Sequence, residues 1–153
     1  MTRDTSRRAR AKPLDSRVLR RLAWFRYRLR QFLRFSERET RARGATPQQY
    51  VLLLGIAGFT GRGWATVSEL AEFLQERHNA VVGLVQRAER RGLVTKDQSS
   101  RDRRYVRVRL SRRGMAILQE LAELHLEELK RIRLGIDSAL MRKPKMIKAA
   151  DGA

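Results

Sequence analysis

The sequence predicts a mainly α-helical domain that carries one small β-hairpin. Three observations predict it. Apolar residues recur at alternating steps of three and four near both ends of the chain, the spacing of one helix face. Two polar pairs, Thr46 with Gln49 and Thr66 with Glu69, have the three-residue separation of capping boxes that open helices. Between 104 and 110, Val106, Val108 and Leu110 alternate with Arg107 and Arg109, the period of two of a strand.

With 153 residues and 42% hydrophobic content, the chain is long enough for one domain with a real core. Its net charge of +19 requires an anionic partner, with nucleic acid ahead of a membrane surface or an acidic protein. The charge is concentrated: residues 1–43 carry +11 and residues 77–113 carry +9, while the rest nearly cancels at −1. The absence of cysteine excludes disulfides, thiol switches and cysteine metal sites. No apolar run approaches the roughly 20 residues that span a bilayer, and no signal-like apolar region follows the basic start, so a cytoplasmic protein without a membrane partner is expected.

In chain order, residues 1–13 read as a flexible basic arm ending at Pro13. Asp15 or Ser16 caps a helix over 16–43, which at about 1.5 Å per residue would be a rod of roughly 42 Å. Val18, Leu22, Phe25, Leu29 and Phe32 form a narrow seam along it, and its opposite face is nearly all arginine. So narrow a seam on so long a helix favours packing against another helix, including one from a second subunit. Gly44 ends that helix. Thr46-Pro47-Gln48-Gln49 starts a second, whose YVLLLGIAGF run is apolar on all sides and therefore expected to be buried. GFTGRG (58–63) closes it as a turn; the glycine pattern of a phosphate loop is not there.

Thr66-Val67-Ser68-Glu69 opens a short helix, Gln75–Arg77 breaks it, and HNAVVGLVQRAERRG forms the next, ended by Gly92. Two short helices across a tight turn outline a helix-turn-helix. Residues 93–97 and 104–110 then pair as a hairpin with QSSRDR at its tip, which makes the outline a winged helix. Ser111 caps a last long helix over 112–140, and 141–153 reads as a basic disordered tail.

The 78–91 helix sorts into two stripes. Val81, Leu84, Val85 and Ala88 form an apolar face, while Asn79, Val82, Gly83 and Gln86 form another at i, i+3, i+4 and i+7. Asn and Gln can bond adenine edges, and Val82 can touch a thymine methyl. Gly83, costly inside a helix, would let the backbone approach a groove wall. Arg77 and His78 stand at the helix N-terminus, which favours phosphate. At the wing tip Arg101, Arg103 and Arg104 can reach phosphates or a narrow minor groove, with Asp102 holding a neighbouring arginine in place. His125 reads as a packed or interfacial residue. Two histidines without cysteine give no metal site, no Ser/His/Asp group or carboxylate pair emerges, and no catalysis or cofactor is expected.

The stretch TVSELAEFLQERHNAVVGLVQRAERRGLVTKDQSSRDRRYVRVRLSRRG resembles the DNA-binding lobe of the MarR (multiple antibiotic resistance regulator) transcription factors. The matching pieces are TPQQYVLLL, the helix pair, GLV, and D-x-R followed by V-x-L-[ST]-x-x-G, here Asp102, Arg104, Val108, Leu110, Ser111 and Gly114. The resemblance covers about 15–140. It implies a winged helix-turn-helix (about 46–114) flanked by dimerisation helices (about 16–43 and 112–140) within a single 14–140 domain. It implies a homodimer on pseudo-palindromic operator DNA, with the 78–91 helix in the major groove and Arg104, oriented by Asp102, in the minor groove. It also implies release by a small aromatic or anionic effector. Val18, Leu22, Phe25, Leu29, Leu121, Leu129, Ile132 and Ile136 are the expected dimer contacts. The expected function is a sequence-specific transcriptional repressor; the alternative is an architectural, nucleoid-type protein that binds duplex DNA by charge.

Overall fold

The computed structural model describes Pro13 and residues 15–98 and 105–132. The rest of the expected arm, the wing tip with Arg101, Asp102, Arg103 and Arg104, Ile136, and the 141–153 tail lie outside the described residues.

Asp15 does cap the first helix, α1 (Ser16–Ala42), by accepting from the Arg17 N–H at 2.9 Å. The second, α2 (Pro47–Leu54), starts with both bonds of the Thr46/Gln49 capping box. Its α-helical bonding stops earlier than the apolar run suggests, and Gly55–Phe59 continues as one wide π-helical turn. Gly55 there lies against the Phe73 ring: a Cβ would fall 2.6 Å from Phe73 Cδ1. Tyr50, Leu52, Leu53 and Ile56 are buried as expected, whereas Val51 remains partly exposed.

Strand β1 (Trp64–Thr66), absent from the sequence expectation, leads directly into α3 (Val67–Leu74). The Thr66/Glu69 capping box is complete, and Arg62 reaches both Glu69 oxygens at 2.6 Å. Burial works against the Glu69 carboxylate, but the Thr66 N–H and the Arg62 guanidinium outweigh it and hold the carboxyl below its usual range. After a left-handed Gln75 (φ 53°) comes α4 (His78–Arg90), ended at Gly92 (φ 69°).

The hairpin is β2 (Val94–Gln98), one residue later at both ends than expected, and β3 (Val106–Leu110), which starts two residues later and ends where expected. Both strands pair antiparallel, and β3 is central in the order β1-β3-β2. Val108, opposite Ala65, faces the core; both are fully buried. On the other face Trp64 sits between two guanidiniums, with Arg62 at 3.8 Å and Arg107 at 4.7 Å from the ring centre. Such cation–π contacts each contribute about 0.5–1 kcal/mol at exposed sites and fasten the loop before β1 to the central strand.

The last described helix is α5 (Arg112–Ile132), with Ser111 Oγ accepting from the Gly114 N–H at 2.9 Å. One core joins the pieces, centred on Leu52, Leu53, Ile56, Leu70, Leu93 and Leu121. His125 is packed, as expected: it is buried, stacked on Tyr50 at 4.6 Å and edge-on to Phe32 and Phe35. Its Nδ1 lies 2.5 Å from the Leu121 carbonyl, so the ring donates there. This aromatic group joins α1 and α5 to α2, and thus the long helices to the helix-turn-helix lobe.

Candidate nucleic-acid interface

The two stripes of α4 separate in space. Val81, Leu84, Val85 and Ala88 are all buried. Asn79 and Gln86 are exposed, and Val82 and Gly83 are half-buried between them. The period of 3.6 suffices to set this division, because one face must meet α2 and α3.

Troughs run along α4, so the helix stands up as a ridge. One of about 260 Å³ lies between α4, the start of α3 and the base of the wing, lined by Ser68, His78, Val82, Gln86, Lys96 and Tyr105 among others. Another of about 220 Å³ runs on the side of Gln48, Asn79, Gly83 and Arg87. A third, of about 320 Å³, adds Arg90 and Arg91 near the C-terminal end of α4. A projecting helix of this kind matches the B-form major groove, which is about 12 Å wide.

At the tip of the ridge, Arg77 occupies the N-cap position with no side-chain cap bond. The first amides of α4 therefore point outward with the exposed Arg77, His78 and Asn79 around them. That combination favours an anion. Lys96 Nζ bonds Glu89 at 2.9 Å and ties the wing's first strand to α4.

The structure adds residues that sequence patterning missed. Arg87, Arg90 and Arg91 follow the reading stripe toward the end of the helix, and Tyr105 stands exposed at the foot of the wing. The signal for Arg87 was its i+4 position from Gly83: a Cβ on Gly83 would lie 3.1 Å from Arg87 Nη1. The open space at Gly83 is thus covered by a guanidinium at the end of a flexible chain. The four wing-tip residues lie outside the described set, so only the base of the wing, with Lys96, Tyr105 and Val106, is placed beside α4.

The expected dimer contacts divide. Val18, Leu22 and Phe25 are exposed, and Leu29 and Leu129 are half-buried. Leu121 and Ile132 need correction, since both are buried within the protomer, at 0% and 3% exposure. Leu121 belongs to the central core, and the Ile132 carbonyl accepts from Arg28 of α1. Neither has surface left for a partner. Leu126, at 53% exposure, is the large apolar side chain that α5 leaves uncovered toward that end.

Residues 43–104 match the family model described as the MarR family. No curated protein sequence matches the chain closely enough to count as a relative. Among solved structures, the fold is similar to that of AbsC, a MarR family transcriptional regulator from Streptomyces coelicolor. That match has 17% identity, covers 85% of this chain and 88% of AbsC, and has a TM-score of 0.69. It is also similar to a mutant MepR of S. aureus bound to an oligodeoxyribonucleotide (16% identity, 87% of each chain, TM-score 0.61). A third similar structure is BpsR of Bordetella bronchiseptica, whose DNA binding is regulated by 6-hydroxynicotinic acid. There the identity is 19%, the coverage 81% and 89%, and the TM-score 0.60.

Proposed function

We propose, from the match of residues 43–104 to the MarR family model, that the protein is a sequence-specific, DNA-binding transcriptional repressor that acts as a homodimer. The single observation that carries this reading is the outward stripe of α4, Asn79–Val82–Gln86, on a ridge between two troughs. Amide side chains there meet base edges in the major groove, while Arg77, His78 and the open amides of α4 hold phosphate. The same reading assigns Arg104, oriented by Asp102, to the minor groove, and Arg101 and Arg103 to phosphates or that groove. The DNA-bound MepR structure supports this assignment of partner. A small aromatic or anionic effector that releases the DNA belongs to the same reading, supported by the regulation of BpsR by 6-hydroxynicotinic acid. The exposed Val18, Leu22 and Phe25 of α1 supply the contact with the second subunit.

Gln86→Ala tests the stripe. It should weaken binding to the preferred duplex by about 1–3 kcal/mol and relax base preference, with little effect on random DNA. Arg112→Gln, an exposed arginine just past the wing at the start of α5, should instead weaken both and flatten the salt dependence by about 0.9 in slope, as loss of a phosphate contact would. Equal losses on preferred and random duplex for Gln86→Ala would favour the alternative, an architectural protein, which the net charge of +19 also suits.

A further inference from the structure

The arginines of α1 form a surface that this reading does not use. Arg26, Arg30, Arg34 and Arg38 follow one another at steps of four, and all four are exposed. At about 1.5 Å per residue the row is some 18 Å long. Like charges at i, i+4 destabilise a helix, and this row contains three such pairs in succession. Relief from acids is slight. The two acids of α1 are Glu37 and Glu39, of which Glu37 bonds Arg41 and Glu39 bonds Arg43 and, at 3.3 Å, Arg38. Arg26, Arg30 and Arg34 have no ion pair among the described residues, and neither do Arg17, Arg20 and Arg21. The chain as a whole has 16 acids for 35 basic residues, too few to neutralise the row from elsewhere.

We propose that this row is a second nucleic-acid surface, which grips the phosphate backbone of duplex DNA without reading sequence. A duplex offers one negative charge per about 1.7 Å of axis, so 18 Å carries roughly ten, ample for four guanidiniums. A lipid surface competes for the row, because Trp24, Tyr27 and Leu33 stand exposed on the same helix; duplex DNA is favoured because the α4 ridge already commits the protein to that polyanion. The row is also separate from the α4 ridge, since α1 packs on α2 and α5. The consequence is a protein that holds its operator with α4 and also holds flanking or neighbouring duplex with α1.

The test uses the full chain carrying Arg30→Gln and Arg34→Gln, both exposed and both replaced by a good helix former. Binding is titrated with salt on three ligands: an operator trimmed to its half-sites, the same operator with random flanks, and a second labelled random duplex captured by the operator complex. The variant should match wild type on the trimmed operator. On the flanked operator or the captured duplex its salt slope should be smaller by about 1.8, at about 0.9 per arginine, and over a fourfold salt range this is roughly a tenfold difference. A change confined to the flanked operator places the row beside the main site, and a change confined to the captured duplex places it on a separate DNA; either supports the proposal. Unchanged slopes on all three ligands overturn it, as does an equal change on the trimmed operator. Loss of binding to phosphatidylserine vesicles with every DNA slope intact also overturns it. If wild type prefers no sequence, the α4 reading fails by itself, and the slope difference on random duplex still decides the role of α1.

Discussion

Gly114→Ala is expected to be the most damaging small substitution in the chain. Gly114 is buried in the first turn of α5, and a Cβ there would lie 2.0 Å from the Leu93 carbonyl oxygen and 3.0 Å from its carbon. Both are backbone atoms, so no rotamer change relieves the clash. The two segments are also bonded together: Ser111 N–H donates to Leu93 O at 3.0 Å and Ser111 Oγ to Gly92 O at 2.5 Å. Forcing them apart adds the loss of these bonds, about 1 kcal/mol each, to an overpacking cost of about 1–3 kcal/mol. A total of about 3 kcal/mol or more is a large part of a typical stability of 5–15 kcal/mol. At about 2–4 °C per kcal/mol for this size, thermal unfolding should fall by roughly 10 °C. Gly58→Ala, whose Cβ would meet nothing within 4 Å, serves as the control and should melt like wild type. Equal melting temperatures for the two variants would show that the junction of α4, the wing and α5 is not held as described.

The second large effect concerns assembly. From Ser16 to Tyr27 every residue of α1 is exposed, and Val18, Leu22 and Phe25 line one side of that stretch. A helix this apolar has no reason to stand free of the core unless another surface covers it. Leu22→Asp with Phe25→Asp should therefore yield a monomer by light scattering, with the melting of the helix-turn-helix lobe little changed, because neither side chain belongs to the protomer's core. Two linked half-site contacts exceed one by about 10²–10⁴-fold, so operator affinity should fall by at least the lower figure. An unaltered mass in light scattering would remove this surface from the dimer.

Much of the architecture is legible in the sequence because it rests on local rules. Thr46/Gln49 and Thr66/Glu69 mark helix starts by bonds that span three residues, and the buried stripe of α4 follows from its period alone. What escapes is set by contacts between distant segments. Trp64–Thr66 is too short to show alternation, and it becomes a strand only because β3 offers an edge. The turn at Gly55–Phe59 looks like ordinary helix until Phe73 is placed against it. Leu121 and Ile132 have the spacing of an apolar seam, but periodicity cannot say whether a seam faces α1 of the same protomer or a second chain. On the candidate site, the direction of Asn79 and Gln86 was readable, whereas the Arg62–Trp64–Arg107 stack at the wing base joins residues about 45 apart in sequence.

Sequence-specific DNA binding is tested most directly by enriching duplexes from a random library with the intact protein. The affinity of the winning duplex is then compared with that of random DNA at one fixed salt concentration near physiological. The α4 ridge predicts a ratio of about 10³ or more, and a footprint with two half-sites roughly 34 Å, one helical turn, apart. A ratio near one, with no sequence enriched, would contradict it and leave a protein that holds DNA by charge.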